Sequence, residues 1–221
     1  MYNRKLEVAP IEGNNLIDTG KNWIEFCKVL RATKREGVED LIKTLETTDF
    51  ALAPASHAYH LSVKGGLCQH SLNTYEYALQ LAGMVGLELD EESLIISGLL
   101  HDLCKVQSYK IKEILDKEYK DKTDQWRKKE AYVFESSFPT GHGTRSVILA
   151  QQWGIKLKKD EVLAIMYHMG FSDPLSQTKD FMQAWGEYPI VQIVAMADQL
   201  AVTHEDHVFM KNVKAKNLIK R

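Results

Sequence analysis

The sequence lacks several features that would place it in a specialised class of proteins. It has only three cysteines in 221 residues and no Cys-x-x-Cys pair, which argues against a disulfide-stapled scaffold. No apolar run reaches the roughly 18 residues that a membrane-spanning helix needs. The first residues contain no apolar segment of the kind that signal peptides carry. We therefore expect a cytoplasmic protein with free thiols and no membrane partner.

The sequence also lacks a strong charge bias. Its 28 basic and 30 acidic residues give a formal charge of −2, so charge alone does not favour binding to long nucleic acids. A local basic patch that binds a short nucleic acid stays open as an alternative. The composition is that of an ordinary globular protein, with 44% hydrophobic and 26% charged residues. A chain of this length forms one domain with a sizeable core.

Apolar residues recur at helical spacing through most of the chain, which predicts an all-α fold. The strongest patterns cover about residues 67–85, 90–104, 144–153, 159–169 and 188–204. The stretch between the second and third of these breaks the pattern and predicts a short hairpin plus a helix, or a mobile flap. We divide the chain into an N-terminal helical extension (1–50), a core (51–205) with an insertion (109–138), and a basic C-terminal tail (206–221).

Two carboxylates stand on helix faces that are otherwise apolar. Asp102 continues the stripe formed by Ile95 and Leu99, and Asp198 continues the stripe that contains Val191. A carboxylate that leaves water without a partner either costs several kcal/mol or becomes protonated. Two such residues therefore indicate a shared cationic partner.

Four histidines occur near the ends or inner faces of the predicted helices. His70 begins a helix after a Gly-Gly pair, His101 directly precedes Asp102, His142 lies between two glycines, and His168 ends a helix. Each histidine alone fits a hydrogen-bonded structural role. Together with the two carboxylates they offer ligands that divalent transition metals prefer, and six ligands suit two ions that share a carboxylate. The lack of cysteine at these positions disfavours a closed structural zinc site.

The cysteines nearest to these histidines are interpreted differently. Cys68 and Cys104 fit the pattern of small buried side chains, which is the usual role of a free cysteine in a core.

This ordered set of histidines and aspartates resembles the signature of the HD superfamily of metal-dependent phosphohydrolases. The resemblance covers about residues 50–205. The matching sequence motifs are GGLCQH (65–70), HDLCK (101–105), GHG (141–143), YHMG (167–170) and ADQLA (197–201).

The resemblance implies an all-α core of about five helices that holds two divalent metal ions, which could be Mn, Fe, Ni, Zn or Mg. The first ion would be held by His70, His101, Asp102 and Asp198. The second would be held by His142 and His168, with Asp102 as the bridge. Such a set is similar to the dinuclear branch, which includes cyclic-nucleotide phosphodiesterases and the HD part of certain 3′-5′ exoribonucleases. The GGLxxH and GHG motifs are most similar to the exoribonuclease type. Those enzymes have an N-terminal oligonucleotide-binding barrel, whereas the first 50 residues here predict helices.

We therefore predict hydrolysis of a phosphoester bond in a nucleotide, cyclic nucleotide or short oligonucleotide by metal-activated water. Asp102 and Lys105 are the expected catalytic residues. Lys105 and Arg145 are the expected contacts of the phosphate, because cationic side chains suit an anion, and His60 is expected to line the mouth of the substrate site. Two alternatives stay open. One is a mixed-valent di-iron oxygenase that acts on a small polar substrate, and the other is a non-catalytic nucleotide-binding module.

Overall fold

The computed structural model describes residues 17–57, 60–120, 125–135 and 138–205. The predicted basic tail lies outside the described residues, as does the first part of the predicted N-terminal extension. The boundaries between extension, core and tail stay predictions.

The described residues fold into helices with one two-stranded antiparallel hairpin, which confirms the all-α prediction and identifies the irregular stretch as a β-hairpin. The helices are α1 (Thr19–Ala32), α2 (Val38–Glu46), α3 (Gly66–Val85), α4 (Glu91–Leu100), α5 (His142–Gln152), α6 (Lys159–Met166), α7 (Lys179–Glu187) and α8 (Pro189–His204). The strands are β1 (Tyr109–Lys120) and β2 (Trp126–Phe134), paired from Tyr109 opposite Phe134 outward. Among the described helices, none is long and apolar enough to cross a membrane.

Helix α3 runs through the centre of the fold and packs against α1, α4 and α8. On one side, apolar side chains of α1 to α5 share one buried cluster that includes Phe26, Leu41 and Leu99. On the other side, α7 and α8 pack with α3 in a second cluster around Phe181 and Val194. The functional side chains described below come from helices on both sides of α3.

Two glycines let the helices approach closely at that centre. Gly98 in α4 faces the backbone of Tyr75 in α3, and a Cβ added at Gly98 would collide with it. Gly143 at the start of α5 faces the carbonyl oxygens of Ile165 and Met166 at the end of α6 in the same way. Only glycine fits at such contacts, so these two positions fix how near α4 lies to α3 and how near α5 lies to α6.

Several helix ends differ from the prediction. The helix expected to continue to Cys104 ends at Leu100, and the chain then forms a 3₁₀ turn over Leu103–Lys105. The backbone leaves the helical path at Asp102, with φ −109° and ψ 20°. The helix expected to reach Met169 ends at Met166. Helix α7 was not predicted, because its apolar stripe is short.

An ionic network joins the α1–α2 connection to the core. The Arg35 guanidinium donates to Glu161 of α6 at 2.7 Å and to Glu92 of α4 at 2.7 Å. Glu161 is fully buried, and it also accepts from the hydroxyl of Ser93 and from the backbone N–H of Lys158. Arg35 is therefore the charge that compensates a buried carboxylate.

We expect Arg35→Met to lower the free energy of unfolding by about 3–5 kcal/mol, because removing one partner leaves Glu161 buried without a counter-charge. Arg31 pairs with Glu39 on the surface, so Arg31→Met should cost about 1 kcal/mol or less. Urea unfolding of both variants measures the difference. Equal losses would mean that the neutral donors around Glu161 suffice.

Candidate metal centre

Five buried side chains from separate parts of the chain converge at the centre of the fold. They are His70 of α3, His101 and Asp102 at the end of α4, His168 after α6, and Asp198 of α8. The His70 Nε2 atom lies 3.0 Å from Asp198 Oδ1 and 3.2 Å from His101 Nε2. His142, the first residue of α5, completes the group with its Nε2 atom 3.0 Å from Asp102 Oδ1. The structure thus brings together all six predicted metal ligands.

The carboxylate of Asp102 divides this group into two halves. Its Oδ2 atom faces His101 at 3.3 Å and His70 at 3.5 Å. Its Oδ1 atom faces His142 at 3.0 Å and His168 at 3.6 Å. One carboxylate therefore has a separate oxygen available for each half, as a bridging ligand requires.

The histidines that follow α4 and α6 are oriented by the helices themselves. The Nδ1 atom of His101 lies 2.8 Å from the carbonyl oxygen of Gly98, and that of His168 lies 2.7 Å from the carbonyl oxygen of Ile165. Carbonyl oxygens only accept, so Nδ1 carries the proton in both rings. A histidine in the last turn commonly satisfies such a terminal carbonyl. Both rings consequently turn their Nε2 atoms towards the centre.

In this orientation two hydrogen-bond acceptors, a histidine Nε2 atom and a carboxylate oxygen, face each other without a proton between them. A neutral His101 or His168 presents a lone pair on Nε2 to the oxygens of Asp102, and the Nε2 atom of His168 is buried with no hydrogen-bond partner among the described residues. A buried polar atom without a partner costs free energy. A cation between the facing atoms removes this conflict, so the donor set fits a metal ion.

The pKa values follow from the same geometry. Burial lowers the pKa of His70, but the carboxylates of Glu205 and Asp198 raise it to about 10 overall. Burial also lowers the pKa of His142, and its hydrogen bond to Asp102 raises it to about 10. Burial and the neighbouring His101 hold the pKa of His168 at about 3. Protons on His70 and His142 therefore supply part of the positive charge that the carboxylates demand.

Lys105 supplies the remaining positive charge near the bridge. Its Nζ atom lies 2.6 Å from Asp102 Oδ2, and the side chain is buried. Burial lowers the pKa of Lys105, but Asp102 and Tyr109 raise it above its ordinary value. Burial raises the pKa of Asp102, but Lys105 and His101 bring it well below its ordinary range. The two side chains thus form a charged pair at neutral pH.

The two other predicted substrate contacts occupy different positions. The ring of His60 lies 4.9 Å from the ring of His70, so the loop before α3 reaches the group. Burial and the charge of His70 lower the pKa of His60 to about 3, which keeps it neutral. Arg145 is half-buried in the first turn of α5, three residues after His142.

Glu205 was not predicted as part of this group. It follows α8 directly, is buried, and its Oε1 and Oε2 atoms each lie 3.1 Å from His70 Nδ1. Asn73 donates to Oε1 of the same carboxylate at 2.7 Å. The spacing offered a signal, because Glu205 stands seven residues after Asp198 and so lies two turns further on the same face. Glu205 holds the proton on Nδ1 of His70 and leaves Nε2 to face the centre.

Comparison with known proteins agrees with this geometry. A family model described as HD domain matches residues 67–203, which is more than half of the chain. The chain belongs to the HD domain family. HD domains bind divalent metal ions, and the clustered histidines and aspartates of this HD domain are compatible with such a site. The resemblance predicted from the sequence is thereby confirmed.

One curated relative of this HD domain is a dihydroneopterin 2′,3′-cyclic phosphate phosphodiesterase from Methanocaldococcus jannaschii. It is 34% identical over 97 residues, which make up 42% of this chain and 36% of the relative. The matched region thus spans about a third of that relative's length. No solved structure matches.

We expect Glu205→Gln to weaken binding of a divalent ion by about 10–100-fold, because losing the charge behind His70 Nδ1 makes Nε2 a poorer ligand. Calorimetric titration with Mn²⁺ measures the change. Glu36→Gln, at an exposed site between α1 and α2, is the matched control and should leave the affinity unchanged. Equal affinities for the two variants would refute the role of Glu205.

Proposed function

We propose that this HD domain hydrolyses a phosphoester bond of a nucleotide, cyclic nucleotide or short oligonucleotide with two divalent metal ions. The observation that carries the proposal is the pair of Nε2 lone pairs, on His101 and His168, that face the shared carboxylate of Asp102 in a buried setting. Three or four nitrogen and oxygen ligands around each position leave room for water and substrate, as catalytic metal sites require.

The ligands divide between the two ions according to the halves of Asp102. His70, His101, Asp198 and Asp102 Oδ2 would hold the first ion. His142, His168 and Asp102 Oδ1 would hold the second. When bound, a pair of such ions would neutralise the charge on a phosphate and would also activate a water, which loses its proton near neutral pH.

Lys105 is the cationic residue we assign to the phosphate. Its raised pKa keeps the ammonium charged at neutral pH, so it acts as a fixed positive charge rather than as a proton donor. Its ion pair with Asp102 keeps that charge next to the carboxylate that we propose as the bridging ligand. This position suits an anionic substrate better than a neutral polyol, which favours hydrolysis over the oxygenase alternative.

The open side of the group lies at α5. The side chain of His142 is 31% exposed, whereas those of His70, His101 and His168 are buried. Helix α5 begins there without a side-chain cap, and the N-terminus of a helix favours an anion. We assign this side to the entry of substrate, with Arg145 on the first turn of α5 as its contact. We assign His60, on the loop beside His70, as a further substrate contact.

A small substrate fits these features better than a long nucleic acid. The hairpin supplies many lysines, but Lys110 and Lys112 pair with Glu135, and Lys128 pairs with Glu113. These two acids offset most of the charge of the three lysines, which weakens the attraction of this part of the hairpin for a phosphate backbone. The name of the curated relative describes a phosphodiesterase of a 2′,3′-cyclic phosphate. A nucleoside 2′,3′-cyclic phosphate is therefore the first substrate that we would test.

The test combines metal removal with a substrate panel. We expect the native protein to lose phosphoester hydrolysis after chelation and to regain it with one of Mn²⁺, Fe²⁺, Ni²⁺, Zn²⁺ or Mg²⁺. We expect Asp102→Ala to abolish activity and to lower the metal content measured by elemental analysis, because both ions lose their shared ligand. Full activity in Asp102→Ala would place the chemistry elsewhere. Oxygen consumption by an iron-loaded protein that releases no phosphate or nucleotide would support the oxygenase instead.

We expect Lys105→Gln to lower kcat/KM by about 10²-fold or more while metal content stays near that of the native protein, because the lost charge acts on the phosphate rather than on the ions. Lys110→Gln removes an exposed lysine that pairs with Glu135 and should leave kcat/KM unchanged. Steady-state kinetics and elemental analysis of both variants provide the comparison. A Lys105→Gln protein that retains native kcat/KM would contradict the assignment.

A further inference from the structure

Cys104 is the one cysteine that lies beside the candidate metal centre. It is buried two residues after Asp102, inside the 3₁₀ turn. Its backbone N–H donates to the Ser146 hydroxyl at 3.1 Å, and its carbonyl accepts from the Ser108 hydroxyl at 2.9 Å. These two bonds fix the backbone of Cys104 between α5 and the hairpin.

The thiol points to the half of the centre that contains His142. The Cys104 Sγ atom, an oxygen of Asp102 and a ring nitrogen of His142 all lie within 4.8 Å of one another. A sulfur, an oxygen and a nitrogen atom grouped this closely could share one ion.

A second observation, which does not involve the cysteine, favours a cation at this half. His168 is buried, and its Nε2 atom lies 3.6 Å from Asp102 Oδ1 with no hydrogen-bond partner among the described residues. The proton of that ring is on Nδ1, which donates to the carbonyl of Ile165. The lone pair of Nε2 therefore points at the same carboxylate oxygen that contacts His142.

We propose that Cys104 is a further ligand of the second ion, which gives that position two histidines, one carboxylate and one thiolate. The proposal rests on the two-ion site of the proposed function. The thiol would release its proton to solvent on binding, since a coordinating thiol is deprotonated. The first position has only nitrogen and oxygen ligands, so the two positions would differ in chemical softness.

The difference has a consequence for the choice of metal. Thiolate and imidazole ligands favour zinc, cobalt and iron, whereas carboxylate and water favour magnesium and manganese. Cys104 would therefore bias the second position towards zinc-like ions. The interpretation of Cys104 as only a small buried side chain would then be too narrow, while Cys27 and Cys68 belong to the apolar core and keep that role.

The experiment is reconstitution of the metal-free full-length protein with Co²⁺, followed by absorption spectroscopy. We expect visible ligand-field bands together with a near-ultraviolet sulfur-to-cobalt charge-transfer band. Cys104→Ser should lose the near-ultraviolet band, keep visible bands from the remaining ligands, and bind Zn²⁺ roughly tenfold or more weakly. Cys27→Ala, which changes a buried thiol of the apolar core, is the matched control and should keep the band.

The outcomes separate this inference from the proposed function. Visible bands without a near-ultraviolet band in the native protein overturn the role of Cys104 and leave the two-ion proposal intact. A near-ultraviolet band that survives in Cys104→Ser also overturns it. Native protein that binds no Co²⁺ at all overturns both proposals. Circular dichroism of Cys104→Ser, with Cys104→Ala as a second variant, checks that the loss of the band is not loss of the fold.

Discussion

The site depends on two histidine lone pairs that point at the oxygens of one buried carboxylate. His101 and His168 each donate the Nδ1 proton to a helix carbonyl. Their Nε2 atoms can therefore only accept, and both face the carboxylate of Asp102. Burial disfavours the charge on the carboxylates of this site, so positive charge has to come from protons on neighbouring side chains or from metal ions. The carboxylates raise the pKa values of Lys105, His70 and His142, which is the same electrostatic effect seen from the side of the cations.

Helix geometry, rather than a dedicated loop, produces this arrangement. A histidine that satisfies the carbonyl three residues before it ends the helix and aims its second nitrogen inward, and the device occurs after both α4 and α6. Gly98 and Gly143 then set the distance between neighbouring helices, so that those nitrogens meet ligands from α3 and α5. Capping and close packing thus create the site that the chemistry uses, and the fold and the site cannot be varied independently.

Much of this could be predicted from the sequence, for identifiable reasons. Asp102 and Asp198 interrupt apolar stripes, and that pattern alone marks them as buried carboxylates. The end of α4 could not be predicted, because helical periodicity continues through Asp102 while a side-chain hydrogen bond from His101 stops the helix. Glu205 was missed although its spacing from Asp198 is helical, because a carboxylate among polar residues near the end of a helix has the pattern of a solvated surface.

The two halves of the centre differ in a way that bears on their roles. The half around His70 is closed, because Glu205, which accepts a hydrogen bond from Asn73, holds the Nδ1 atom of His70, and Asp198 faces its Nε2 atom. The half around His142 is open, because that side chain is partly exposed and stands at an uncapped helix start. A closed ligand set holds an ion tightly, whereas an open one exchanges water and substrate more readily. The asymmetry supports our proposal that the first position organises the site and that the second position, for which we propose His142, His168 and Cys104 as ligands, meets the substrate.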